Sequence, residues 1–418
     1  MKLIKLSLRD FRGFRSFDLD LAPDVTALVG VNGAGKTSIL DALARLLSCL
    51  VEGIQSGEPE EIAPDVRDVR VGASTAYLSM EAEIGDQTVA WSIARTLLGH
   101  PPGARGSLAA LEMPVRATQA SMALGSPLLP LAVFFPTTRG TDVPTWGMVP
   151  QLIPPRKRGV LRAYEGALEG GARSFQHFFE WFREEEDIYN EQVVSAEIPA
   201  SSPLPAVREA IERILPGARK ARVERRLQRM TVEINGERLD VAQLSDGERS
   251  LLTLAGDLAR RMALAAPTLE KPLEQPAVVL LDEIELHLHP GLQRQILPRL
   301  RSVFPNAQFI VTTHSPQVLS SLHAANVRVI ERFELRMLER GTWRRDTNRI
   351  LETAFGDPGR PPEVAAKLNA LRDAVDAERF DDARRLIAEL SAMIEGDDPD
   401  VFFYQQMLPP EEAPRAAS

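Results

Sequence analysis

A single cysteine, Cys49, serves all 418 residues, so neither an internal disulfide nor a paired-cysteine zinc site can be built. A reducing compartment, the cytoplasm, is the expectation. Long apolar runs are missing as well. Nowhere do about 18 apolar residues follow one another, and the opening MKLIKLSLRDFRGF alternates apolar with charged residues where an export signal would need an unbroken apolar stretch. The chain is therefore expected to be soluble and unprocessed, with no membrane partner. Its long middle sustains no a/d heptads, which excludes an extended coiled-coil arm. Positive charge is in deficit: 49 Lys and Arg against 58 Asp and Glu leave a net charge of -9. That excludes a wholly basic nucleic-acid binder, because affinity for phosphate backbones comes from Lys and Arg. Three local basic runs remain, Arg156-Lys157-Arg158, Arg219 to Arg229 and Arg340 to Arg349. Each reads either as a solvated face or as a set of phosphate contacts that would make DNA a candidate partner.

What is present is a 44% hydrophobic content, enough for a sizeable core, arranged with two periods. Residues 2 to 9 and 17 to 21 alternate as paired strands, and Val25 to Val29 is a short buried strand followed by a Gly-rich turn and a helical run from Ser38 to Leu47. Residues 52 to 74 read as loop, 76 to 84 and 88 to 94 as two strands, 97 to 128 as irregular, and Leu131 to Phe135 as another buried strand. Phe175, Phe178, Phe179, Phe182 and Tyr189 fall on one face of a helix over 174 to 192, a spacing that predicts core packing rather than a stacking platform. A short helix to Leu215, a hairpin turning at Asn235-Gly236, a helix over 244 to 264, a strand over 277 to 281, a helix over 290 to 304 and a strand over 308 to 312 follow. Strands alternating with helices predict an α/β fold with a parallel sheet, and the antiparallel N-terminal strands make the sheet content mixed. Two amphipathic helices joined near Glu378 end the chain.

Gly30-Val-Asn-Gly-Ala-Gly-Lys36-Thr37 matches the phosphate-binding pattern G-x-x-x-x-G-K-[ST], placed after a buried strand and opening a helix, where the chemistry needs it. Glycines let backbone N–H groups close around phosphates, the helix start adds positive potential, Lys36 neutralises phosphate oxygens and Thr37 can ligate magnesium. Val278-Val-Leu-Leu-Asp282-Glu283 is an apolar strand ending in two carboxylates, the form of a Walker B element whose Asp282 holds Mg2+ and whose Glu283 polarises the attacking water.

With these two motifs in place, Leu244-Ser245-Asp246-Gly247-Glu248-Arg249 resembles the signature motif of ATP-binding-cassette ATPases, and Thr312-Thr313-His314-Ser315-Pro316 resembles their switch-histidine loop. The elements Leu8-Arg-Asp-Phe11-Arg12-Gly13-Phe14 and Asp282-Glu-Ile-Glu-Leu-His-Leu-His289-Pro290 bring the likeness closer to the RecF, SMC and overcoming-lysogenization-defect group. The resemblance implies a P-loop NTPase head that hydrolyses ATP with Mg2+ and dimerises around two nucleotides. Glu283, His314 and Lys36 would then be catalytic. Arg12, Gly30, Asn32, Gly33, Gly35, Lys36, Thr37, Ser38, Ser245 and Gly247 would contact the nucleotide, the last two across the dimer interface, while Thr37 and Asp282 would hold the metal. Ser245 also reads as a simple N-cap with Glu248 as its capping glutamate, and both readings can hold at once. His287, His289 and His314 could instead be read as a zinc cluster, a reading that the switch role and structural roles make unnecessary.

The segments Phe179-Glu-Trp-Phe182-Arg-Glu-Glu-Glu-Asp187 and Asp346-Thr-Asn-Arg-Ile-Leu351 resemble bacterial defence-island ATPases, including the Septu ATPase subunit. That likeness implies an ATPase subunit of an anti-phage complex controlling a separate effector such as an HNH nuclease; the alternative is a RecF-like repair or recombination ATPase. No HNH pattern is present, and the acidic residues Glu395, Asp397, Asp398 and Asp400 read as a helix C-terminus and solvated loop. Phe402, Phe403 and Tyr404 are a candidate docking patch. The expected organisation is an N-terminal ATPase lobe over 1–150, a helical insertion over 151–230, a C-terminal ATPase lobe over 231–345, a helical extension over 346–407 and a disordered tail over 408–418.

Overall fold

The structure, a computed structural model, describes residues 1–101, 103–125, 128–139, 159–169, 174–194, 202–338, 343, 350, 354–355, 360–394, 396 and 398–409. The chain divides into two compact units, Met1–Thr347 and Asn348–Ser418. Among the described residues no helix is long and apolar enough to cross a membrane.

In the first unit the alternating N-terminal segments form β1 (Lys2–Phe11) and β2 (Phe14–Asp20), joined at Arg12-Gly13. With β4 (Thr75–Ile84) and β5 (Gln87–Thr96) they make an antiparallel sheet in the order β2-β1-β4-β5. The chemistry rests on a second sheet of β3 (Val25–Val29), β6 (Leu131–Phe135), β10 (Ala277–Leu281), β11 (Ala307–Thr313), β12 (Val327–Glu331) and β13 (Glu334–Arg336). Its order is β13-β12-β3-β11-β10-β6, parallel except for the edge strand β13. Strands β3, β6, β10 and β11 are buried at every position, as a parallel sheet covered on both faces requires. Gln308 ties the two sheets together: its side chain accepts from Leu3 N–H at 2.7 Å and donates to Leu3 O at 2.8 Å.

Helix α1 (Lys36–Ser56) follows β3, and α5 (Asp246–Ala265) leads toward β10. Against α5 lie α3 (Ser174–Val194) and α4 (Leu204–Ile214). The aromatic stripe of α3 is core: Phe175, Phe178, Phe179 and Phe182 are buried, and the Phe178 ring lies where a Cβ on Gly256 would be, 2.5 Å from it. Within α5, buried Asp257 accepts from both Arg260 (2.6 Å) and Arg261 (2.7 Å), and Arg261 donates onward to the carbonyls of Ala163 and Glu165. A third sheet, β7 (Ala218–Glu224), β8 (Arg229–Ile234) and β9 (Glu237–Asp240), carries the central basic run.

Several expectations need correction. Residues 97 to 128 are not wholly irregular: α2 (Glu112–Ala123) forms there, burying Pro114, Val115 and Thr118. Helix α1 continues to Ser56, past Leu47, because buried Leu50, Val51 and Ile54 extend its apolar face. The helix expected over 290 to 304 is broken into α6 (Pro290–Gln293) and α7 (Ile296–Val303). The runs Arg156-Lys157-Arg158 and Arg344-Arg345 lie outside the described residues, as does the tail from 410.

In the second unit three helices, Pro362–Asp376, Phe380–Met393 and Pro399–Met407, enclose a core of Leu371, Ala374, Ala383, Leu390 and Val401. Asp398 begins the third helix rather than ending the second. It caps that helix by accepting from Asp400 and Val401 N–H, and it pairs with Arg360 at 2.6 Å. Tyr404 packs on this core, while Phe402 and Phe403 are exposed.

Candidate nucleotide site

Strand β3 ends in the loop 30–35, and the loop's glycines answer local demands. A Cβ on Gly30 would lie 2.2 Å from the Ile330 carbonyl oxygen, and Gly35 caps α1 at φ 102, a left-handed conformation that a side chain would strain. The loop thus closes tightly over the start of a 21-residue helix, whose unpaired N–H groups favour an anion. Lys36 is buried and folds back, its Nζ donating to the carbonyls of Gly30 (2.9 Å) and Val31 (3.1 Å). Burial lowers its pKa, and the negative charges of Asp282, Glu283 and Glu285 oppose that shift.

Opposite the loop, β10 delivers Asp282 and Glu283. Thr37 Oγ1 lies 3.1 Å from Asp282 Oδ2, and Thr312, at the end of β11, donates its hydroxyl to Asp282 Oδ1 at 2.6 Å while accepting the Glu283 N–H at 2.7 Å. One hydroxyl therefore orients both carboxylate residues. Thr37 and Asp282 converge as two hard oxygen donors, a set suited to Mg2+, which takes one or two protein ligands and completes its shell with phosphate and water. Among the described residues no group of three or more His, Cys, Asp or Glu side chains gathers as a metal site, so the histidine cluster does not form. His289 instead caps α6, its Nδ1 accepting from Gly291 N–H.

These elements bound an open cleft of about 490 Å³. Its lining contains Asn32, Gly33, Gly35, Lys36, Thr37 and Ser38 from the loop and helix start, Asp282, Glu283 and His314 from the strand ends, and Arg12 from the β1–β2 turn. Gly30 stands behind the loop as the anchor of Lys36. His314 is half-buried. Its N–H donates to Glu285 Oε1 at 2.5 Å, and burial, with Lys36 second, lowers its imidazole pKa below the ordinary value. Arg12, at φ 49, is fixed by Asp68 (2.9 Å) and Asp41 (2.6 Å) and donates to Ser38 Oγ at 3.2 Å. Burial pulls its pKa down, but Asp68 and Asp41 outweigh that and raise it overall.

Ser245 and Gly247 are not in the lining of this cleft. Ser245 caps α5 in a complete capping box, accepting from Glu248 N–H and donating its hydroxyl to Glu248 Oε2 at 2.7 Å. A Cβ on Gly247 would lie 2.5 Å from the His287 carbonyl oxygen, so the signature turn rests on the loop that follows β10.

Three residues at the site escaped the sequence reading. Phe333, in the β12–β13 turn at φ 64, lines the cleft. Glu285 holds the His314 backbone, and its Oε2 is buried without a hydrogen-bond partner among the described residues. Arg139, buried in the turn after β6, donates to the carbonyls of Asp282 (2.5 Å) and Glu283 (2.6 Å). The spacing of the final glutamate in Asp282-Glu-Ile-Glu285 was the one available signal; nothing local marks Phe333 or Arg139.

Known proteins share parts of this chain. A family model described as "AAA ATPase domain" matches residues 1–64, and one described as "AAA domain, putative AbiEii toxin, Type IV TA system" matches residues 165–320. The chain is 27% identical over 460 residues to the "Retron Ec83 probable ATPase" of Escherichia coli, an alignment covering 95% of this chain and 85% of that protein. It is 38% identical over 87 residues to the "Septu protein PtuA" of Bacillus mycoides (strain KBAB4), covering 21% of this chain and 12% of that one. It is also 46% identical over 59 residues to the "DNA replication and repair protein RecF" of Arthrobacter sp. (strain FB24), covering 14% of this chain and 15% of that one.

Proposed function

We propose, from the premise that the chain is an ATP-binding-cassette ATPase of the RecF and SMC type related to defence-island ATPases, that it hydrolyses ATP in a dimer and thereby controls a separate effector, such as a nuclease, in a bacterial anti-phage complex. The loop from Gly30 to Gly35 and the start of α1 cradle the phosphates, with Asn32 and Ser38 at their sides. Lys36 leaves the carbonyls of Gly30 and Val31 to neutralise the phosphate oxygens. Thr37 and Asp282 would hold Mg2+, which would supply charge neutralisation on the phosphates. Glu283 orients and deprotonates the attacking water. His314 donates a hydrogen bond toward the γ-phosphate. Arg12, which lines the cleft from the β1–β2 turn, lies beside the nucleotide base in this reading.

The observation that carries the dimeric reading is the separation within one chain. The loop, Walker B and switch residues bound one cleft, and Ser245 and Gly247 lie outside it. A second copy supplies them across a two-fold interface. The test is complementation. Ser245→Arg and Lys36→Ala are each expected to be inactive, and their mixture should recover one working site per heterodimer. Full activity of Ser245→Arg alone, or a strictly monomeric wild type hydrolysing ATP at nanomolar concentration, would end the reading.

The alternative, RecF-like action on DNA, draws on the third sheet. Lys220, Arg225 and Arg229 of the basic run are paired with carboxylates. Arg219, Arg222 and Arg226 are exposed and form no ion pair among the described residues. Salt-sensitive DNA binding lost on charge reversal at these three positions would favour it.

A further inference from the structure

We propose that Arg139 is a positioning residue for Glu283. This rests on the reading of Glu283 as general base. Asp282 and Glu283 follow the last residue of β10, and Glu283 adopts φ 45, a left-handed conformation that costs a non-glycine residue about 1 kcal/mol or more and persists only when its surroundings impose it. The structure shows what imposes it. On the amide side, Glu283 N–H is received by Thr312 Oγ1 at 2.7 Å, and the next amide, that of Ile284, by Thr312 O at 3.1 Å. On the carbonyl side, the Arg139 guanidinium donates Nη2 to Glu283 O at 2.6 Å and Nη1 to Asp282 O at 2.5 Å. Two successive peptides are thus gripped by one planar fork, a geometry that a lysine ammonium cannot reproduce.

Topology brings the fork there. Strands β6 and β10 are parallel neighbours with Phe135 opposite Leu281, and Asp282 N–H continues the ladder to Phe135 O at 2.9 Å. The turn after β6 places position 139 beside the residues that leave β10. Arg139 is 5% exposed and has no carboxylate hydrogen-bond partner among the described residues. Burial pushes its pKa down to about 10, against the opposing charges of Glu285, Asp282 and Glu283. Besides Asp282 O and Glu283 O its only other acceptor among the described residues is Pro136 O, at 3.2 Å in its own turn. A buried cation satisfied by carbonyls alone is a costly way to hold a turn, and the turn it holds across the strands carries the metal-binding and water-activating carboxylates.

The test compares Arg139→Lys and Arg139→Ala with wild type in the full-length chain, measuring ATP affinity, kcat, KM and thermal stability. Arg139→Lys should keep the melting temperature and ATP affinity close to wild type while kcat falls by about 10- to 100-fold, the scale of a displaced catalytic group. Millimolar guanidinium should restore part of the kcat of Arg139→Ala without changing KM, and should restore none in Arg139→Ala/Glu283→Gln. Wild-type kcat in Arg139→Lys would overturn the proposal, and so would a loss of kcat that only tracks a loss of folded protein. If Arg139→Ala fails to fold, Arg139→Lys decides alone. Normal hydrolysis by Glu283→Gln would instead remove the catalytic reading on which the proposal rests.

Discussion

The ring of Phe333 occupies the space that a side chain on Gly13 would need: a Cβ there would lie 2.2 Å from Phe333 Cε1. The bare position in the β1–β2 turn lets the tip of the β12–β13 hairpin reach the nucleotide cleft, where Phe333 also meets Phe14 edge-on at 5.2 Å. Arg332 and Phe333 both have positive φ, so the hairpin turns tightly enough to present the ring.

Gly13→Ala should therefore force the ring aside, costing about 1–3 kcal/mol in denaturant unfolding and weakening ATP binding. Phe333→Ala removes the obstruction. The double variant Gly13→Ala/Phe333→Ala should be less destabilised than the sum of the two single changes, and strict additivity would mean that the two positions do not meet.

Glu283→Gln is expected to bind ATP as wild type does and to turn over at least ~100-fold more slowly, accumulating as an ATP-bound dimer in size-exclusion chromatography. Lys36→Ala should lose binding itself. Equal ATP affinity in wild type and Lys36→Ala would contradict the role given to the buried ammonium.

Cys49 is fully buried on α1, and burial raises its thiol pKa to about 11. At pH 8 the native protein should leave a disulfide reagent unreacted over minutes, and one equivalent should react once denaturant is added. Rapid labelling of the native chain would show that α1 opens far more readily than its packing implies.

His177, on α3, has its pKa lowered by burial first and by Arg260 second. The folded state resists the proton that an unfolded histidine binds near its model value of 6.5. This contribution to stability is therefore whole above about pH 6.5 and shrinks as the pH falls through that value toward the lower folded pKa. Thermal midpoints measured between pH 7.5 and 5.5 should decline, and His177→Gln should flatten part of the slope; His314 contributes in the same direction.

The local motifs could be read along the chain because each is continuous: Gly30 to Thr37 between strand and helix, Asp282-Glu283 at a strand end, and Thr312 to Ser315 at the next. The sequence placed those carboxylates at a strand terminus, but not the Thr312 hydroxyl that serves Asp282 and Glu283 together, which depends on the pairing of β10 with β11. Arg139 was hidden for the same reason. A lone arginine in a Pro-Thr-Thr-Arg turn has no period and no motif partner, and its role exists only because β6 lies beside β10. Helix α2 was missed because alanine, glycine and proline dominate its surroundings and its apolar face is short. The break between α6 and α7 leaves no Gly or Pro signal at Arg294-Gln295.

The pairing of β3 also limits the order in which the emerging chain can fold. The phosphate loop springs from β3, which ends at Val29, yet both of its sheet neighbours, β11 and β12, lie beyond residue 306. At on the order of 10 residues per second, the loop's strand waits about half a minute for a partner. During that interval β1, β2, β4 and β5 can already pair with one another, because all four are drawn from the first 96 residues. The nascent chain can thus pair its antiparallel sheet while the nucleotide loop is still unanchored. A truncation ending before β11 would release the first without the second, so ATP cannot assist folding until most of the polypeptide has been made.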